Sequence, residues 1–299
     1  MSSSPSRAGF AALVGWTNVG KSTLLNRIVG EKVAAVAEVP QTTRNRIQGV
    51  RNVPGRGQVI FVDSPGLHRP RHRMNRNMVR LAVDSLRAVD LALLVVDAAR
   101  GLGDGDEQAA EVVKRAGLPA LAVLNKIDLV RSKSRLLPML ETLVGKWGMS
   151  EAIPISALTG NGCDELLDRV VAHLPEAEPL FPEETYTDQP ERALAAEWVR
   201  EKLLHKTRQE VPHSVAVEVE RWLDREDGVI EIDATILVER ESQKAIVIGR
   251  GGGLLKQVGV EARADLERLL GTQVFLTLWV KVRPGWRDDE RILRQLGLD

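Results

Sequence analysis

The chain is short of several things that would narrow its class at once. It has a single cysteine, Cys163, among 299 residues. An intramolecular disulfide is therefore excluded, and a reducing compartment is expected. Neither sign of charge is in excess: Lys and Arg total 41, and Asp and Glu total 41. A net charge of zero gives no whole-chain pull toward nucleic acid or membrane. No apolar run approaches the roughly 18 residues of a spanning helix. Residues 1–7 are polar, so a secretory leader is not expected either. There is no internal repeat and no low-complexity tract.

What remains is the composition of a globular protein, 43% hydrophobic and 27% charged, with a length that suggests two domains. In the first half, short apolar runs at 10–14, 59–62, 91–96, 120–124 and 153–155 read as strands. Helix-like segments fall between them at 21–29, 74–86, 106–116 and 136–147. This alternation predicts an α/β domain, with a mainly parallel sheet and helices on both faces. Ligands of such sheets bind outside the carboxyl ends of the strands.

Four segments sit at those ends, in one order. Gly15-Trp16-Thr17-Asn18-Val19-Gly20-Lys21-Ser22, followed by Thr23, fits the phosphate-loop pattern G-x-x-x-x-G-K-[ST]. Its glycines let backbone N–H groups converge on phosphate, and the helix N-terminus adds to the pull. Lys21 is expected at the β- and γ-phosphates, and the Ser22 hydroxyl on Mg²⁺. Asp63 and Gly66, in Asp63-Ser64-Pro65-Gly66, are expected to hold a metal-bound water and to offer an N–H to the γ-phosphate. Asn125-Lys126-Ile127-Asp128 names the base. Guanine presents two adjacent donors, and one carboxylate, Asp128, can accept both, whereas adenine has no such pair. Asn125 and Lys126 would brace the pocket. In Ser156-Ala157-Leu158, the Ala157 N–H is expected to reach guanine O6. A switch loop also needs a hydroxyl that reaches Mg²⁺ only when the γ-phosphate is present. Thr43 is the choice, with Thr42 the alternative.

Prolines 175, 179, 182 and 190 punctuate residues 175–190, which read as a linker between domains at 1–174 and 191–299. The second half reads as helix (191–205), two strands (215–222, 230–239), a glycine turn, helix (254–270) and strand (274–282). The turn Gly249-Arg250-Gly251-Gly252 fits the G-x-x-G of a KH domain, which clamps a single-stranded backbone. Residues 243–256 contain no acid, and Lys244, Arg250 and Lys256 form a basic patch beside Ile248. Val260, Leu266, Leu269, Val274, Leu276, Leu278 and Val280 are expected in the core. Trp198, Trp222 and Trp279 are expected in the core or at domain contacts. Residues 283–294 mix both signs and suit a solvated terminal helix.

With Gln41-Thr42-Thr43-Arg44, Asp63-Ser64-Pro65-Gly66-Leu67-His68, Leu237-Val238-Glu239-Arg240, Trp279-Val280-Lys281-Val282 and Trp286-Arg287-Asp288-Asp289-Glu290 added, the chain resembles the Era family of bacterial ribosome-assembly GTPases over essentially its whole length. The resemblance implies a P-loop GTPase domain followed by a type II KH domain. It implies GTP or GDP with Mg²⁺, binding of 16S ribosomal RNA near its 3′ end, and action on the 30S subunit. It also implies a cytoplasmic place, with peripheral contact at the inner membrane surface. Asn18 resembles an asparagine that helps hold K⁺ in related GTPases; bracing the loop is the alternative. Leu67 stands where Ras-like enzymes have a water-orienting glutamine, which implies slow intrinsic hydrolysis. Thr17 and Ser64 depart from the family's usual proline and threonine. Two other classes compete: a GTPase switch whose second domain binds protein, and a small-molecule kinase. The guanine motif and Thr42-Thr43 argue against the kinase, and the basic glycine turn favours RNA over protein.

Overall fold

A computed structural model describes residues 6–39, 41–68, 72–209 and 211–298, and the chain divides into two compact units. Unit one comprises Met1–Ala34, Thr43–Arg71 and Asn75–Asp188; unit two comprises Ala35–Thr42, His72–Met74 and Gln189–Asp299. Pro40, within the threonine-bearing loop, lies outside the described residues.

The first unit is built on a six-stranded sheet. Its strands are β1 (Arg7–Val14), β2 (Ile47–Val53), β3 (Gly57–Asp63), β4 (Leu91–Asp97), β5 (Ala120–Asn125) and β6 (Glu151–Pro154). Their order is β2-β3-β1-β4-β5-β6, and every pairing is parallel except that of the edge strand β2 with β3. The apolar runs are continuous because both faces are covered. Strand parity then divides each run between two cores. Ala11 and Leu13 of β1 join Leu91, Leu93 and Val95 of β4 on one face, beneath α1 (Lys21–Val29) and α5 (Cys163–His173). Ala12, Val14, Ala92, Leu94 and Val96 point the other way, toward α2 (Arg73–Asp84) and α3 (Asp104–Ala116). A short helix, α4 (Leu136–Glu141), adds Leu136 to that second core. The 175–190 stretch, read from sequence as a linker, lies along the unit as far as Asp188. Fully buried Gln58 accepts from the N–H groups of Leu180 and Phe181 at 2.8 and 2.9 Å.

The second unit contains α6 (Glu191–Lys206), α7 (Val211–Ser214), β7 (Ala216–Asp224), β8 (Ile230–Val238), α8 (Glu241–Ile248), α9 (Gly253–Leu270), β9 (Val274–Val282) and α10 (Glu290–Gln295). Its sheet runs β7-β8-β9, with β7 antiparallel and β9 parallel to β8. Val199 and Leu203 of α6, Ile236 and Val238 of β8, and Val258 and Ala262 of α9 form its core. The Ala35–Thr42 segment belongs to this unit through α6. The Val36 N–H donates to Glu201 Oε2 (2.9 Å), His205 Nε2 donates to the Val36 carbonyl (2.8 Å), and Arg200 donates to the Thr42 carbonyl.

β2, α5 and α8 are additions to the sequence reading. β2 is an edge strand interrupted by Gln48, Gly49, Arg51 and Asn52. α8 ends in Ile246-Val247-Ile248, a β-branched run that suits a strand better than a helix. Among the described residues no helix is long and apolar enough to cross a membrane.

Candidate functional site

The four motifs lie at the carboxyl ends of β1, β3, β5 and β6, as the parallel sheet requires. The phosphate loop enters α1 at Gly20, whose φ is +98°; a Cβ there would meet Asn125 Nδ2 at 2.4 Å. Glycine is thus demanded twice, by conformation and by the neighbouring strand end. Asn18 and Lys126 are among the few non-glycine residues with positive φ, at 63° and 64°. Such conformations persist where surrounding structure enforces them, and they cluster at functional sites.

Three oxygen side chains converge beside Lys21. Ser22 Oγ donates to Asp63 Oδ2 (2.6 Å) and lies 2.7 Å from Thr43 Oγ1, which also reaches Asp63 Oδ2 (3.2 Å). Asp63 Oδ1 is buried without a hydrogen-bond partner. Two hydroxyls and a carboxylate make a hard oxygen set that fits Mg²⁺, and the orphaned Oδ1 fits a water held on that ion. Burial pushes the Asp63 carboxyl above its usual range; Lys21, Ser22, Thr43 and the Ser64 N–H pull the other way. Burial likewise lowers Lys21, and Asp63 opposes that. Both shifts reflect charges withdrawn from water. Lys21 Nζ donates to the carbonyls of Trp16 (3.0 Å) and Gly15 (3.3 Å). Thr42, the alternative switch threonine, instead donates to the Val39 carbonyl at 2.7 Å. Gly66 packs on the loop, where an added Cβ would come within 2.9 Å of Thr17 Cα.

On the base side, Asn125 ties two motifs together. Its Nδ2 donates to the Val19 carbonyl (2.8 Å), and its Oδ1 accepts the Ala157 N–H (2.9 Å). The Ala157 N–H, expected at guanine O6, is thereby held beside the buried Asn125 side chain. Asp128 is exposed, while Ser156 is fully buried and its Oγ accepts the Thr159 N–H. Leu158 is 68% exposed at the loop's tip. Two residues of this site escaped sequence reasoning. Asp97, ending β4, receives Lys126 Nζ at 2.7 Å while that ammonium also donates to the Asn18 carbonyl at 2.6 Å. Arg27, in the last turn of α1, donates to the carbonyls of Ala157 and Leu158. The signal for Asp97 was an acid at a strand's carboxyl end; Arg27 gave none.

In the second unit, Gly251 and Gly252 have φ of 56° and 76°, yet a Cβ on either would meet nothing within 4 Å. Packing does not ask for glycine there, so the bare backbone is available to something outside the chain. The turn opens onto a groove of about 480 Å³ lined by Gly252, Lys256, Val260 and Arg263 of the α9 side and by β9 residues 275–278. Lys256 and Gly252 line it, while Lys244, Ile248, Gly249, Arg250 and Gly251 sit in α8 and the turn and are not among its lining. One core expectation is corrected: Val260 is 51% exposed. Leu276 and Leu278 are half-buried, packing against the core while also lining the groove. Trp279 is 59% exposed, because its β9 position points to the sheet face opposite the helices. Trp198 is buried as expected.

A phosphate loop with a guanine-reading motif, followed by a glycine-turn helix–strand unit, defines a P-loop GTPase with a C-terminal KH domain. Comparisons with known proteins agree. The family described as 50S ribosome-binding GTPase matches residues 10–126, and the KH domain family matches residues 210–287. The chain is 47% identical to GTPase Era of Geobacter metallireducens over 99% of both chains, and 46% identical to GTPase Era of Trichlorobacter lovleyi over the full length of both. Among solved structures it is similar to Era in complex with MgGDPNP and nucleotides 1506–1542 of 16S ribosomal RNA, with a TM-score of 0.94 at 41% identity, covering 98% of this chain and 99% of that one. The same coverage, TM-score and identity relate it to an Aquifex aeolicus Era variant bound to GDP and tetrafluoroaluminate. The chain belongs to the GTPase Era family, and it is a GTPase.

Proposed function

We propose that the chain binds GTP with Mg²⁺, hydrolyses it slowly, and binds the 3′ region of 16S ribosomal RNA through its KH domain during 30S assembly and rRNA maturation in the cytoplasm. The observation that carries the nucleotide half is the meeting of Ser22, Thr43 and Asp63 beside buried Lys21. Ser22 and Thr43 would hold the magnesium ion, and Asp63 a water on it; the ion supplies charge neutralisation between the phosphates. Lys21 trades its two carbonyl partners for β- and γ-oxygens. The Gly66 N–H faces the γ-phosphate, where a side chain would strike Thr17. Leu67 is 6% exposed and apolar, so it orients no water, which supports a slow intrinsic rate. By resemblance, Asn18 would help hold K⁺ beside the phosphates, with bracing of the loop as its alternative role. The Ala157 N–H is assigned to guanine O6, and Asp128 accepts the two base donors.

The RNA half rests on Gly251 and Gly252, whose conformation serves no internal packing. Lys244, Ile248, Gly249, Arg250 and Lys256 complete the contact surface on the turn. Peripheral contact with the membrane surface is a further property that family membership suggests. Filter binding of a 3′-terminal 16S fragment, with GDPNP or GDP, tests the reading. Gly251→Asp with Gly252→Asp puts two carboxylates against the RNA backbone and should abolish binding while GTP binding persists. Retained RNA affinity would make the second domain a protein-interaction module.

A further inference from the structure

The loop tip after Asp63 is fastened more tightly than the nucleotide chemistry described so far requires. Ser64 is fully buried, and its Oγ donates to the Leu13 carbonyl at 3.1 Å. Three residues on, the Leu67 N–H donates to the Gly15 carbonyl at 3.1 Å. Between these anchors stand Pro65, whose ring fixes φ, and Gly66. The remaining freedom is largely that of Gly66, the residue whose N–H is assigned to the γ-phosphate.

His68 closes that freedom. Its Nδ1 lies 2.8 Å from the Gly66 carbonyl, and its Nε2 lies 3.1 Å from Nδ2 of Asn75 in α2. A carbonyl only accepts, so Nδ1 carries the proton; Nε2 of the neutral ring then accepts from the Asn75 amide. Both ring nitrogens are used, which leaves no lone pair for a general base. Burial lowers the His68 pKa and favours the same neutral ring. Asn75 is itself 4% exposed and so holds the ring from a fixed place. The Gly66–Leu67 peptide is thereby gripped at its C=O by His68 and at its N–H by Gly15.

We propose that His68 and Asn75 are a positioning pair for GTP hydrolysis, setting the Gly66–Leu67 peptide so that the Gly66 N–H meets the γ-phosphate as charge develops on it. The proposal rests on the Gly66 assignment above. In a chain whose Leu67 cannot orient water, a fixed backbone donor carries more of the electrostatic work.

The test is single-turnover hydrolysis in the full-length protein with Mg²⁺, beside the affinity for a GTP analogue. His68→Ala should slow hydrolysis about tenfold, the scale of a small misplacement, with analogue affinity nearly unchanged. Asn75→Ala should do the same, and the double variant should be no slower than either. His68→Asn places an amide nitrogen near the Nδ1 position and should recover most of the rate, whereas His68→Gln should not. Wild-type hydrolysis in His68→Ala, equal impairment of His68→Ala and His68→Asn, or additive losses in the double variant would each overturn the pair. Gly66→Ala separates the premises: normal hydrolysis there would remove the Gly66 assignment itself. If Asn75→Ala does not fold, half-buried His68 carries the decision through its Ala, Asn and Gln variants.

Discussion

At the scale of single residues, the proposed function separates side chains assigned to the nucleotide from those that only hold others in place. Asp128 is exposed, which suits the role proposed for it, acceptance of both guanine donors. Asp128→Asn should weaken GTP roughly thirtyfold, the loss of a charge-assisted pair. It should favour xanthosine triphosphate, whose 2-oxygen accepts from the new amide; a competition titration showing unchanged preference would remove the base-reading role. Buried and exposed tryptophans make a second contrast. Trp198, 3% exposed, should cost about 3–5 kcal/mol when changed to alanine. Trp279, 59% exposed, should shift stability by only about 0.5 kcal/mol. Urea denaturation of the two variants checks both values, and comparable losses would mean that β9's outer face is covered in solution.

At the scale of elements, strand ends, loops and one helix share the work. The strand–motif–helix order was legible because each motif follows an apolar run, and a fully buried parallel sheet makes such runs continuous. Thr43 could not be separated from Thr42 by pattern alone, since both are threonines in one loop; the contacts of Thr43 with Ser22 and Asp63 favour it in the proposed role. β2 was illegible because an edge strand tolerates the polar residues that break the apolar signal. The place of Val260 was illegible for a related reason: it obeys the hydrophobic pattern of a core, and periodicity cannot tell an interior from the wall of an apolar cleft. Arg27 was beyond reach, as its role depends on α1 ending beside the Ala157–Leu158 loop. Arg27→Ala should free those two carbonyls and loosen the guanine-side loop. Faster GDP release in stopped-flow, with single-turnover hydrolysis unchanged, is the expected result; an unchanged release rate would show that the loop holds itself.

At the scale of the whole molecule, division of labour follows the two units, but the chain does not. Unit two takes Ala35–Thr42 from the first half of the sequence, and α6 holds it through Arg200, Glu201 and His205. Arg200 and Glu201 are only 2% and 3% exposed with that segment in place. A fragment covering 189–299 therefore starts life with two charged groups stripped of their cover. It should melt at a lower temperature than the same fragment mixed with a peptide of residues 35–42; equal melting curves would show that the segment contributes nothing. The broader consequence is for modularity. Gene fusion treats a C-terminal module as a cassette that can be spliced at a proline-rich joint and carried to a new host. Here the cassette has left one of its parts upstream, so a transplant cut at the joint would deliver an incomplete fold.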